Sequence, residues 1–123
     1  MLLRYWARVG GTLAEEFPAV KGSKTASSRR LDGVIVLGGK HERVAPELLR
    51  VAGNDIIIVQ AKARRLGMYL LGQALFSREL MKPFGPASIR TVALCTKDDS
   101  VLRPLAEAYG IEIELDIDET VAI

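Results

Sequence analysis

Three side chains in this sequence combine types and spacing that could do chemistry together: Asp32, Gln60 and Lys62. Gln60 and Lys62 close the run Asp55-Ile56-Ile57-Ile58-Val59-Gln60-Ala61-Lys62, whose β-branched centre reads as a buried strand. Side chains alternate along a strand, so Gln60 and Lys62 project together while Ala61 points away. A buried amine is costly unless something pairs with it, so a lysine at the mouth of a core strand needs a reason. Asp32 lies at the start of an upstream apolar run, Leu31-Asp32-Gly33-Val34-Ile35-Val36-Leu37. An acid, then a polar-X-Lys at a strand end, would set oxygen donors for a divalent cation beside an ammonium. Oxygen donors would hold the cation there, and the ammonium would meet negative charge developing on phosphate.

The elements that must position these groups follow from periodicity. Residues 2–9 suit a short helix, with Leu2, Trp6 and Val9 at helical spacing and Gly10-Gly11 as its stop. Thr12 to Val20 reads as a strand, broken or ended near Pro18, and Lys21 to Arg30 as the most loop-like segment. Leu31 to Leu37 is the second strand, Pro46 to Ala52 a helical turn, and residues 55–62 the third strand. Leu66 to Met81 is the best helix, its apolar face drawn from Leu66, Leu70, Leu71, Ala74, Leu75, Phe76 and Met81. Gly67 and Gly72 are expected to let that helix pack closely on the sheet. Ile89 to Cys95 is a fourth strand, Ser100 to Tyr109 a helix begun near Asp98 or Asp99, and Ile111 to Ile117 a final alternating strand. Strand–helix–strand–helix–strand over residues 55–117 implies parallel crossovers onto one sheet.

Bulk properties set wide bounds. A chain of 123 residues, 49% hydrophobic and 26% charged, supports one domain with one modest core. Its apolar runs are too short for a membrane span, and Met1 to Trp6 lacks a secretory signal pattern. One cysteine, Cys95, excludes an intramolecular disulfide and fits a reducing, cytoplasmic setting. The net charge of +2 is small, but its distribution is uneven. Lysines and arginines gather in the first two-thirds, while Glu107, Glu112, Glu114, Asp116, Asp118 and Glu119 make the C-terminus acidic. A basic region near the motif strands could hold a phosphate backbone.

This order and these residues resemble the PD-(D/E)XK nuclease superfamily, the restriction-endonuclease-like fold, in the Gln-X-Lys variant of the Mrr-type nucleases. The resemblance covers nearly the whole chain. It implies an α/β, three-layer domain over residues 1–123, with a central mixed β-sheet flanked by helices. In that family an acid on the second strand and an acid-X-Lys on the third meet at a divalent metal. Carried over, the catalytic set is Glu16, Asp32, Gln60 and Lys62, with Glu15 the alternative to Glu16 by strand parity. Mg²⁺ (or Mn²⁺) would be held by Asp32, Gln60 and the Ala61 carbonyl. Arg29, Arg30, Arg64 and Arg65 flank the motif strands and would hold neighbouring phosphates without reading sequence. The implied activity is phosphodiester hydrolysis on duplex or branched DNA, in repair, recombination or defence, by a homodimer whose two sites reach two strands. No organic cofactor and no membrane enter this picture. Gln60 is the departure: most members carry Asp or Glu there, and an amide oxygen ligates Mg²⁺ more weakly.

Other readings of the same residues stand beside this one. Asp32 also suits a turn before its strand, and Gln60 and Lys62 a solvated strand end. Glu15 and Glu16 taken alone are surface acids, and Cys95 is a core residue without a partner base. A degenerate domain that binds nucleic acid or assembles with partners without cleavage is the alternative to an endonuclease. A small Rossmann-like ligand-binding domain is the third class. Gly38-Gly39 lacks the G-x-G-x-x-G spacing that class needs.

Overall fold

The apolar runs become five strands and three helices in a computed structural model that describes residues 1–117. Helix α1 (Leu2–Val9) leads into β1 (Thr12–Val20), β2 (Arg29–Val36) and β3 (Asp55–Ala61). Then follow α2 (Met68–Met81), β4 (Ser88–Cys95), α3 (Leu102–Ala108) and β5 (Ile111–Leu115). The strands lie in the order β1-β2-β3-β4-β5. β1–β2 and β2–β3 pair antiparallel, while β3–β4 and β4–β5 pair parallel. The sheet is therefore mixed, and the two parallel crossovers are the helices α2 and α3, as strand–helix alternation requires.

Both faces of the sheet are covered. On one, Tyr5 packs with Leu13, Ile35, Ile57, Val59, Val92 and Leu94, with Leu2, Trp6 and Val9 of α1 against them. On the other, Ile56, Ile58, Val34 and Val36 join Met81, and Ala93, Cys95, Ile111 and Ile113 meet Leu70 and Ala74 of α2 and Ala106 of α3. The central strands are apolar on both sides because both sides are core. Asp99 Oδ1 accepts from the N–H groups of Val101 and Leu102 and so starts α3.

The details depart from the sequence expectations in several places. Arg29 and Arg30 belong to β2 rather than to the preceding loop. β3 ends at Ala61, so Lys62 is the first residue beyond it, and β5 ends at Leu115. Of the helical turn expected over Pro46 to Ala52, Pro46–Leu48 alone winds, as a 3₁₀ turn. Leu66 is buried ahead of α2 rather than within it. Phe76 is not core: it is 68% exposed. Gly72 does not serve close packing on the sheet, since a Cβ there would meet nothing within 4 Å. Asp118 and Glu119, counted in the acidic C-terminus, lie outside the described residues.

Candidate active site

The site is built where β2 and β3 part. Their antiparallel ladder runs from Val36↔Ile56 to Gly33↔Val59 and stops there, so Asp32 and Gln60 begin an opening between the strands. Asp32 fills it. Its Oδ2 accepts from the Ala61 N–H at 2.8 Å, a charge-assisted bond in the place of a ladder bond. Lys62 N–H donates to Leu94 O at 2.9 Å. Alternate residues of a strand bond to opposite neighbours, so Ala61 turns its N–H and its C=O away from β4 and toward Asp32. A carboxylate and a main-chain carbonyl thus share one cleft.

Gln60 is 5% exposed. Its Nε2 donates to Ser77 Oγ on α2 at 2.8 Å, and its Oε1 lies 3.5 Å from the Asp32 amide nitrogen. The amide oxygen therefore turns toward Asp32, and α2 holds it there. Lys62 is half-buried on the same side as Gln60, as alternation requires. Its ammonium sits over the Tyr69 ring, 4.6 Å from the centroid, a contact worth about 0.5–2 kcal/mol. That contact gives the lysine the reason its placement lacked in the sequence.

The two candidate acids on β1 part company. Glu15 pairs with Arg43 at 2.6 Å. Glu16 is exposed and has φ 50, in the left-handed region. Register puts Glu15 across from Gly33 and Phe17 across from Leu31, which leaves Glu16 opposite Asp32. Alternation fails at this point: Ala14 and Phe17, three residues apart, share one cluster, as do Leu31 and Val34. Strand parity, which offered Glu15, does not hold through such a distortion.

Of the four arginines, Arg29, Arg30 and Arg64 are exposed and form no ion pair among the described residues. Arg65 instead donates to the Asp98 carbonyl at 2.7 Å and ties the β3 exit to the loop after β4. The C-terminal acids are mostly occupied. Arg90 grips Glu112 through two bonds of 3.0 and 2.8 Å and holds its carboxyl below the usual carboxylate range. Asp116 binds Arg4, which lowers its carboxyl too, and Glu114 lies 3.7 Å from Arg8.

Ser77 and Arg43 escaped the sequence reading. Ser77 had a signal, a polar residue three after Ala74 and four before Met81 on the buried stripe of α2. Arg43 had none, because its partner comes from a different strand. The donor set of Asp32, Gln60 and Ala61 is all oxygen, which suits a hard cation that keeps several of its own waters. It is sparse in charge: no group of three or more His, Cys, Asp or Glu could hold a metal among the described residues. No helix among them is long and apolar enough to cross a membrane. Compared with known proteins, the chain matches no family model, no curated protein and no solved structure.

Proposed function

We propose that this domain is a restriction-endonuclease-like, Mg²⁺-dependent DNA nuclease, whose site is the cleft between β2 and β3. The observation that carries the reading is the Asp32–Ala61 bond. It fixes the Asp32 carboxylate on the main chain of Ala61 at the β3 end, between Gln60 and Lys62 in the chain. Asp32 would hold the cation with the Ala61 carbonyl and the Gln60 amide oxygen, while Glu16 stands across from Asp32 on β1. When bound, the cation supplies Lewis acidity toward phosphate and favours ionisation of water at neutral pH.

The chain's own groups do the rest. Ser77 fixes the Gln60 amide by accepting from Nε2, so its oxygen stays on the cleft side. Lys62 offers a compact charge to a phosphate oxygen or to the attacking water, and Tyr69 limits where its ammonium can go. Arg29, Arg30 and Arg64 supply sequence-independent grip on neighbouring phosphates. Two copies of a domain this small would let two sites reach two strands.

A second reading has an observation of its own. The Gln60 amide is already engaged at both ends, which favours a site fixed for structure in a nucleic-acid-binding module that does not cleave. Nicking of supercoiled plasmid and of a branched substrate in Mg²⁺ or Mn²⁺ separates the two. The nuclease reading expects metal-dependent nicking that Lys62→Ala reduces by about 10²-fold or more, the scale of one lost charge-stabilising group. DNA binding with no nicking in either metal favours the module. Nicking that survives Lys62→Ala removes the role given to that lysine.

A further inference from the structure

Beside the cleft runs an open groove of about 690 Å³, lined on one wall by Tyr69, Gly72, Gln73 and Phe76 of α2 and on the other by Arg29 and Arg30 of β2. Gln60 and Ser77 lie in the same lining, so the groove leads to the site. Its α2 wall is a helical stripe, since positions 69, 72, 73 and 76 fall on one face. Tyr69 and Phe76 are 69% and 68% exposed, far above what an ordinary globular surface asks of aromatic rings. Gly72 lies between them with open space where a Cβ would stand. The one acid in the lining, Glu79, is ion-paired with Lys82 at 2.7 Å.

We infer that this groove takes an unpaired stretch of DNA, with bases on the α2 wall and phosphates on the β2 wall. The inference rests on the DNA-nuclease reading above and names its substrate class: single-stranded, frayed or flapped DNA next to the cleft. Single-strand sites combine a cationic track with aromatic platforms, and the two walls here divide those jobs. Tyr69 and Phe76 are seven residues apart, about 10.5 Å along a helix. That is about three steps of 3.4 Å per nucleotide along a strand. Two bases fit between the rings, over the notch left by Gly72. The Lys62 ammonium covers one face of the Tyr69 ring, so a base stacked on the opposite face would have the lysine directly behind the ring, toward the cleft. A duplex cannot use the aromatic wall, because its bases are stacked on one another.

Metal-free binding of a labelled oligo-dT and of a duplex of equal length, read by fluorescence anisotropy, tests this apart from cleavage. The full chain should bind oligo-dT at least tenfold more tightly than the duplex. Phe76→Ala should erase most of that preference, a loss of about fivefold to 150-fold for one base–aromatic contact. Phe76 is exposed, and a thermal melt confirms that the variant is folded. Tyr109→Ala, at an exposed ring of the α3 side, should bind oligo-dT like the unaltered protein. Equal affinity for both DNAs overturns the inference, as does a folded Phe76→Ala with an undiminished preference. Dissociation of a dimer by Phe76→Ala with unchanged oligo-dT binding also overturns it, and assigns the face to self-association. A single-strand preference without nicking in Mg²⁺ leaves the groove standing and removes only the hydrolytic reading.

Discussion

At the scale of single residues, the chemistry turns on how Asp32 and Gln60 divide their oxygens. Asp32 spends Oδ2 on the Ala61 N–H, and that bond holds the carboxylate at the strand end. Gln60 brings an amide where a carboxylate would bring a full charge. A unit charge about 4 Å from another is worth about 4 kcal/mol at an effective dielectric of 20, and part of that is offset by taking the carboxylate out of water. Gln60→Glu should therefore tighten Mn²⁺ binding by about tenfold or more, near 1.4 kcal/mol, read by calorimetric titration. Unchanged or weaker binding would place Gln60 outside the cation's reach. The approach of Gln60 to Asp32 was legible because adjacent strands bring their matching ends together. The Ser77 and Tyr69 contacts were not, because a helix begun six residues after Lys62 can turn any of several faces to the strand end until packing chooses one.

At the scale of elements, β1 and β2 carry most of what the sequence concealed. Their existence followed from apolar runs, and so did β3, β4 and the crossover helices. The break in alternation at Glu16 did not, because a single residue with φ 50 leaves no mark in a pattern of period two. Across from Glu16, Asp32 turns its carboxylate to the Ala61 N–H of β3. The approach of α1 to β1 is set by a glycine pair. Gly11 has φ +83, and a Cβ there would lie 2.4 Å from the Val36 carbonyl oxygen, which is backbone and cannot swing aside. The Trp6 indole N–H also donates to the Gly11 carbonyl at 2.8 Å, so the turn is fixed from both sides. Gly11→Ala should destabilise the fold by about 2 kcal/mol or more, read as a lower midpoint in urea. Gly10→Ala, with φ 76 but open space around it, should cost less. Equal costs would mean that backbone conformation alone, and not the approach of β2, makes Gly11 necessary.

At the scale of the whole molecule, the placement of charge separates two ends of the sheet. Glu112 and Glu114 of β5 and Asp116 just beyond it are answered by Arg90, Arg8 and Arg4, so they bind the far edge of the sheet to β4 and α1. Arg29, Arg30 and Arg64 are exposed and form no ion pair among the described residues, while Lys62 is half-buried against Tyr69, and net charge alone, only +2, gave no hint of that division. The apolar expectation for Phe76 failed for a related reason: the residue belongs to the groove wall, not to the core. What remains to be measured is whether a cation enters the β2–β3 opening. Diffraction at the manganese edge from crystals grown with Mn²⁺ answers it directly. The account predicts one anomalous peak between β2 and β3, bonded to the Asp32 carboxylate and the Ala61 carbonyl. An ordered cleft without a peak at saturating Mn²⁺, or a peak held only by acids elsewhere, would contradict it.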